Sequence, residues 1–99
     1  MVLAATALVA SAPPMAVARD QDEARRDEVR RAVESGEIHS LADILNTLRS
    51  KLPGEVAGVE VERKGDRWRY EFRVVDSQGR LFDVHVDARS GEIERIKEK

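Results

Sequence analysis

Three stretches of this chain alternate strictly between apolar and polar residues, and two earlier stretches carry apolar residues at helical spacing. The alternation is clearest at Trp68, Tyr70, Phe72 and Val74, interleaved with Arg67, Arg69, Glu71 and Arg73. A second run sets Phe82, Val84 and Val86 against Asp83, His85 and Asp87, and a shorter one sets Val59 and Val61 against Glu60 and Glu62. A period of two sends successive side chains to opposite faces, so each run predicts an antiparallel strand with one dry and one wet face. Lys64-Gly65-Asp66, Ser77-Gln78-Gly79 and Arg89-Ser90-Gly91 supply the turns, and residues 92–96 offer a short fourth strand.

The helical stretches differ in quality. Residues 40–52 place Leu41, Ile44, Leu45, Leu48 and Leu52 at i, i+3, i+4, i+7 and i+11, a core-facing stripe. Ser40 can cap this helix with Asp43 three residues on, and Pro53-Gly54 ends it. Residues 20–35 predict an earlier helix whose stripe is thin: Ala24, Val29, Ala32 and Val33. Asp22 and Arg26, and Asp27 and Arg31, stand at i,i+4 in the supporting orientation, and Gly36 occupies a stop position. The Arg25-Arg26 and Arg30-Arg31 pairs read as a solvated helix face or as a patch for lipid headgroups or an acidic partner.

The second hairpin has a register that the side chains select. A three-residue loop at 77–79 sets Asp76 opposite Arg80, Phe72 opposite Val84 and Tyr70 opposite Val86. On the wet side Arg73 then meets Asp83, Glu71 meets His85 and Arg69 meets Asp87. A slip of one residue would turn Phe and Val into water. The first hairpin turns at Lys64-Gly65 or at Gly65-Asp66; both keep the faces and differ by two in pairing. The dry face needs a cover, and the leucine stripe provides one. The fold class is therefore α+β: two N-terminal helices, then a three- or four-stranded antiparallel sheet, with the second helix packed on one face.

Composition adds an address. Residues 1–18 carry no charged side chain, and an apolar run followed by Ala16-Val17-Ala18 has the form of an export signal with its cleavage site. No Lys or Arg precedes the run, which departs from the usual basic start. The expected organisation is a signal peptide at residues 1–18 and one small domain at residues 19–99, periplasmic or secreted. Membrane association would come only through that segment if it stays uncleaved, and its apolar run is shorter than the roughly 20 residues a spanning helix needs. There is no cysteine, which excludes disulfides and thiolate metal sites, and the net charge of −2 carries no basic stripe of the kind nucleic-acid binders show.

Candidate chemistry is sparse. Asp83, His85 and Asp87 share one strand face and are the residues to weigh as metal ligands. Same-face neighbours on a strand lie about 6.5–7 Å apart, so an ion-pair ladder competes with that reading. His39-Ser40 lacks a third orienting group, and Ser40 reads as a cap. Trp68 and Tyr70 share parity with Phe72 and Val74 and read as core, with Trp68 near the sheet end the one aromatic to weigh for ligand contact. No catalytic residue and no cofactor is expected. An open sheet leaves one strand's backbone row unpaired, and an extended peptide can add there; residues 56–63 are the expected edge, with Val59, Val61 and Trp68 as the partner-facing side chains.

These features resemble a PepSY domain. Gly36-Glu37-Ile38 with Leu41, Ile44 and Leu45 is similar to that family's helical lead-in, and Pro53-Gly54 with Val59-Glu60-Val61-Glu62 to its first strand. Trp68, Tyr70 and Phe72 followed by Asp76, Gly79 and Arg80 resemble its central hairpin, and Val86-Asp87-Ala88 with Ser90-Gly91-Glu92-Ile93 its closing signature. The resemblance covers roughly residues 20–96. It implies a non-catalytic, exported binding or regulatory module whose partner is a protein, a peptidase or a sensor ectodomain, as in propeptides of thermolysin-like metallopeptidases. A metal-responsive periplasmic protein using Asp83, His85 and Asp87 is the alternative.

Overall fold

The structure is a computed structural model that describes the backbone of residues 14–99 and the side chains from residue 21 onward. Of the signal peptide expected at residues 1–18, residues 1–13 lie outside the described residues. The chain divides into two compact units, Met1–Arg30 and Arg31–Lys99.

Helix α1 (Pro14–Glu34) fills the described part of the first unit and begins before the expected residue 20. On it Asp27 pairs with Arg30 at i,i+3, 3.0 Å apart, rather than with Arg31. Its last turn belongs to the second unit and stops as the Gly36 signal predicts. Gly36 takes φ +78°, its N–H donates to the Val33 carbonyl at 3.1 Å, and the Glu37 N–H donates to the Ala32 carbonyl at 2.9 Å. Those two bonds satisfy carbonyls that the helix end would otherwise leave bare.

Helix α2 (Leu41–Leu48) is capped by Ser40, whose Oγ accepts from the Asp43 N–H at 3.1 Å. A 3-10 turn at Arg49–Lys51 completes the stretch expected at residues 40–52. Of the five stripe residues, Ile44 and Leu48 are buried, while Leu41, Leu45 and Leu52 are half-buried at the rim.

Four strands follow: β1 (Glu55–Lys64), β2 (Arg67–Val75), β3 (Leu81–Asp87) and β4 (Ile93–Glu98). They form one antiparallel meander in the order β1-β2-β3-β4, so the fourth strand is present. The β2–β3 register is the one the side chains select, with Phe72 opposite Val84, Tyr70 opposite Val86, Arg73 opposite Asp83, Glu71 opposite His85 and Arg69 opposite Asp87. The first hairpin resolves to Gly65-Asp66, because Lys64 pairs with Arg67. Gly65 alone of the two takes positive φ, +61°, which is the two-residue turn whose first central position calls for glycine.

The centre of the dry face is closed. Phe72, Val74, Val84 and Val86 are 0% exposed, and Tyr70 and Phe72 stack with ring centroids 6.3 Å apart. Ile44 and Leu48 of α2, with Ile38 and Ala32 of the lead-in, are the buried apolar groups of this unit that are not on strands or in the loop after β3, and they form the cover. Polar bonds fix the junction. The Tyr70 hydroxyl donates to the His39 carbonyl at 2.9 Å, the His39 N–H to the Ala88 carbonyl at 2.8 Å, and the Ala88 N–H to the Trp68 carbonyl at 3.0 Å. The phenol that makes the first of these sits in a dry site, and burial raises its pKa, holding it as a donor.

Candidate functional site

Strand β1 is an edge of the sheet and its longest strand, ten residues. Its inner side pairs with β2 from Glu55 opposite Val75 to Lys64 opposite Arg67. No strand pairs with its outer side among the described residues. The register shifts between Val56 and Gly58, so Ala57 is bulged and the regular part of the edge runs through residues 59–64. Val59 opposes Phe72 and Val61 opposes Tyr70, which places both valines on the dry face. Yet Val59 is 39% exposed and Val56 38%, because the cover does not extend over the edge strand. Val61 is half-buried.

The wet face carries a ladder of ion pairs, and its pairing departs from the expected one. Arg73 and Arg69 stand opposite Asp83 and Asp87 in register, but both guanidinium groups turn the other way, toward β1. Arg73 donates to Glu60 at 3.1 Å and Arg69 to Glu62. The Asp carboxylates are taken by others. Asp87 Oδ2 accepts from Arg67 at 3.3 Å, and Asp87 Oδ1 accepts the Arg89 and Ser90 amides at 2.8 and 3.2 Å. Asp83 lies 3.4 Å from the Lys99 ammonium, and His85 Nε2 lies 3.5 Å from Glu71. Arg67 also reaches Glu94 at 2.9 Å, tying β2 to β4 across β3.

Three carboxyl groups are held below their ordinary pKa, two on this face and one in the turn after β2. For Glu62 the first cause is the hydrogen bond from Arg69, which outweighs desolvation; the same bond raises Arg69. For Asp87 desolvation pushes upward most strongly, but the Arg89 and Ser90 amides and the Arg67 guanidinium together pull the pKa down. Asp76 follows the same logic in the 76–80 turn. Desolvation raises it, and the Arg80 amide, the Arg80 side chain and the Gln78 amide lower it by more.

The residues singled out from sequence separate into distinct environments. Asp83, His85 and Asp87 share the wet face of β3, each beside a different partner, and Asp87 also builds a turn. Trp68, read as core from its parity but also weighed for ligand contact, is 4% exposed, with the Arg63 guanidinium 5.1 Å from its ring centroid. Its indole therefore offers little area to a partner, while Val59 offers the most of the three partner-facing residues. Sequence reasoning missed the closest gathering of acids: Glu60, Glu62 and Glu71 bring one carboxylate oxygen each within 4.8 Å of the others. The signal was Glu60-x-Glu62 combined with the Gly65-Asp66 turn, which sets Glu60 opposite Glu71 and Glu62 opposite Arg69.

Concave sites are modest. A cleft of about 80 Å³ is lined by Glu62, Lys64, Arg67, Trp68, Arg69 and Glu94, all but Lys64 and Trp68 members of the ion ladder. A wider depression beside Pro53, Gly54, Val56 and Val75 has Glu55 and Asp76 as its titratable groups, and Asp76 is committed to its turn. What the arrangement offers is a strand edge: a side with no neighbouring strand among the described residues, carboxylates above and the exposed Val56 and Val59 below. Among the described residues no helix is long and apolar enough to cross a membrane.

A sequence model of the PepSY family, described as peptidase propeptide and YPEB domain, matches residues 40–97. No curated protein and no solved structure matches the chain. The matched span starts at the Ser40 cap and ends in β4, so it contains α2, β1, β2, β3 and all but the last residue of β4.

Proposed function

The chain belongs to the PepSY family, and on that footing we propose that it is an exported, non-catalytic regulatory module that binds a protein partner along the β1 edge. The partner is a peptidase or the ectodomain of a sensor. The observation that carries this reading is the ten-residue β1 at the sheet margin with Val56 and Val59 exposed. An edge strand offers a row of backbone donors and acceptors, and an extended segment of another protein gains affinity by completing the ladder. A peptidase is an apt partner because proteolytic clefts hold polypeptide in extended form. Export is supported by the charge-free residues 1–18.

The test uses a secreted thermolysin-like metallopeptidase and the full chain. Added in excess, the wild-type protein should lower hydrolysis of a peptide substrate. Val59→Pro and Glu60→Pro are compared, since alternate residues of an antiparallel strand aim their N–H outward and one of the two spares the β1–β2 ladder. The variant that keeps the native circular dichroism spectrum should lose inhibition. If it inhibits as well as wild type, the edge is not the binding surface.

A further inference from the structure

Apart from the β1 reading, we infer that the opposite margin of the sheet, β4, takes an extended segment of a protein partner that alternates Asp or Glu with aliphatic residues. β4 pairs with β3 along its inner side, and among the described residues no strand lies on its outer side. The register shift between His85 and Val86 leaves Glu94 as the extra residue, so the regular part of this edge is residues 95–98. Arg95 stands opposite His85 and Lys97 opposite Asp83, which puts both cations on the wet side. Ile96 stands opposite Val84 on the dry side and is 46% exposed, more than either exposed valine of β1. The edge thus presents two cations on one face and a bare aliphatic group on the other.

The cations select the occupant. On β2, Arg67 holds Asp87 and Glu94, Arg69 holds Glu62, and Arg73 holds Glu60. Arg95 and Lys97 have no ion-pair partner among the described residues, because the groups beside them are already engaged. His85, opposite Arg95, lies 3.5 Å from Glu71; Asp83, opposite Lys97, is met by Lys99 at 3.4 Å; and Glu94 is held by Arg67 at 2.9 Å. Glu98 stands on the dry side, opposite Phe82 and in the field of Arg80. A strand added along β4 sets its own side chains beside these, face for face. Carboxylates on its wet side meet Arg95 and Lys97, and aliphatic groups on its dry side cover Ile96. A second copy of the chain is a poorer occupant. Its β4, laid antiparallel with wet face beside wet face, sets the same cations against each other, which is destabilising. Its β1 would pair head-to-tail, an arrangement that does not close.

The experiment measures fluorescence anisotropy of two labelled octapeptides, one alternating valine with glutamate and one valine with lysine, against the full chain. The valine–glutamate peptide should bind about tenfold more tightly, with a preference that shrinks as salt rises. Arg95→Glu combined with Lys97→Glu should reverse the preference, and Arg95→Gln with Lys97→Gln should abolish it; both positions are exposed, so the fold is spared. Arg95→Pro and Ile96→Pro are compared in the same assay, and the one that keeps the native circular dichroism spectrum should lose the peptide. If both disturb the fold, the glutamine pair decides. Equal binding of the two peptides, binding of neither, or a preference that survives the glutamine pair overturns the inference, while the peptidase assay still judges β1. The folded β1 proline variant should bind the valine–glutamate peptide as wild type does; loss there moves the acidic segment to β1 and overturns the assignment to β4. Self-association in sedimentation that the folded β4 proline variant abolishes and the valine–glutamate peptide does not displace gives this edge to a second copy and overturns it too.

Discussion

Asp87 shows how much one side chain holds in this sheet. Its two oxygens accept the Arg89 and Ser90 amides and the Arg67 guanidinium, and its own N–H and carbonyl bond Glu92 and Gly91, closing the β3–β4 turn. Asp76 repeats the device one hairpin earlier. Both, with Glu62, have folded pKa values below the unfolded values of about 4. A depressed carboxyl pKa adds stability that is complete above the unfolded value and is lost as pH falls through the folded one. Urea midpoints should therefore be level from about pH 7 to 5 and fall below about pH 4. Asp87→Asn, which keeps an oxygen for the amides and loses the charge, should flatten part of that fall. Asp87→Ala at pH 7 removes the acceptors altogether and should cost about 1–2 kcal/mol by urea titration.

At the scale of elements, each boundary has a local cause and a local test. Ser40→Ala removes the oxygen that accepts the Asp43 amide and should cost about 1 kcal/mol. Gly54→Ala is worse for a different reason. A Cβ there would sit 2.2 Å from the Val75 carbonyl oxygen and 2.7 Å from the Asp76 Cα, both backbone, so the β1–β2 end must open. Thermal denaturation should register a loss of about 1–3 kcal/mol. Sequence made the strands legible because alternation and glycine turns agreed. The register of β2 with β3 was legible because the dry and wet faces each came out complementary in only one pairing. The first hairpin was not, since two turns preserved the same faces and differed only in which acid met which arginine.

For the whole molecule, a dry face closed only over its central strands makes a small core in which single side chains count heavily. Phe72→Ala removes a side chain with 0% exposure and should cost about 3–5 kcal/mol. That is comparable to the whole margin of about 3–5 kcal/mol open to a domain this size without disulfides, so this variant should be largely unfolded by circular dichroism at 37 °C. Val59→Ala, at the exposed edge, should shift the midpoint by less than about 1 kcal/mol while weakening partner binding. The amino-acid sequence by itself determined the α+β class, the stop of α1, the cap of α2, the faces of the strands and the central register. It could do so because those depend on neighbours in the chain or on a period of two. Only the tertiary structure decided that Arg69 and Arg73 turn to Glu62 and Glu60, and that β4 is the other margin. A long arginine reaches acids on either side, so its choice depends on which of them are already bonded, and that is settled only when all four strands are side by side.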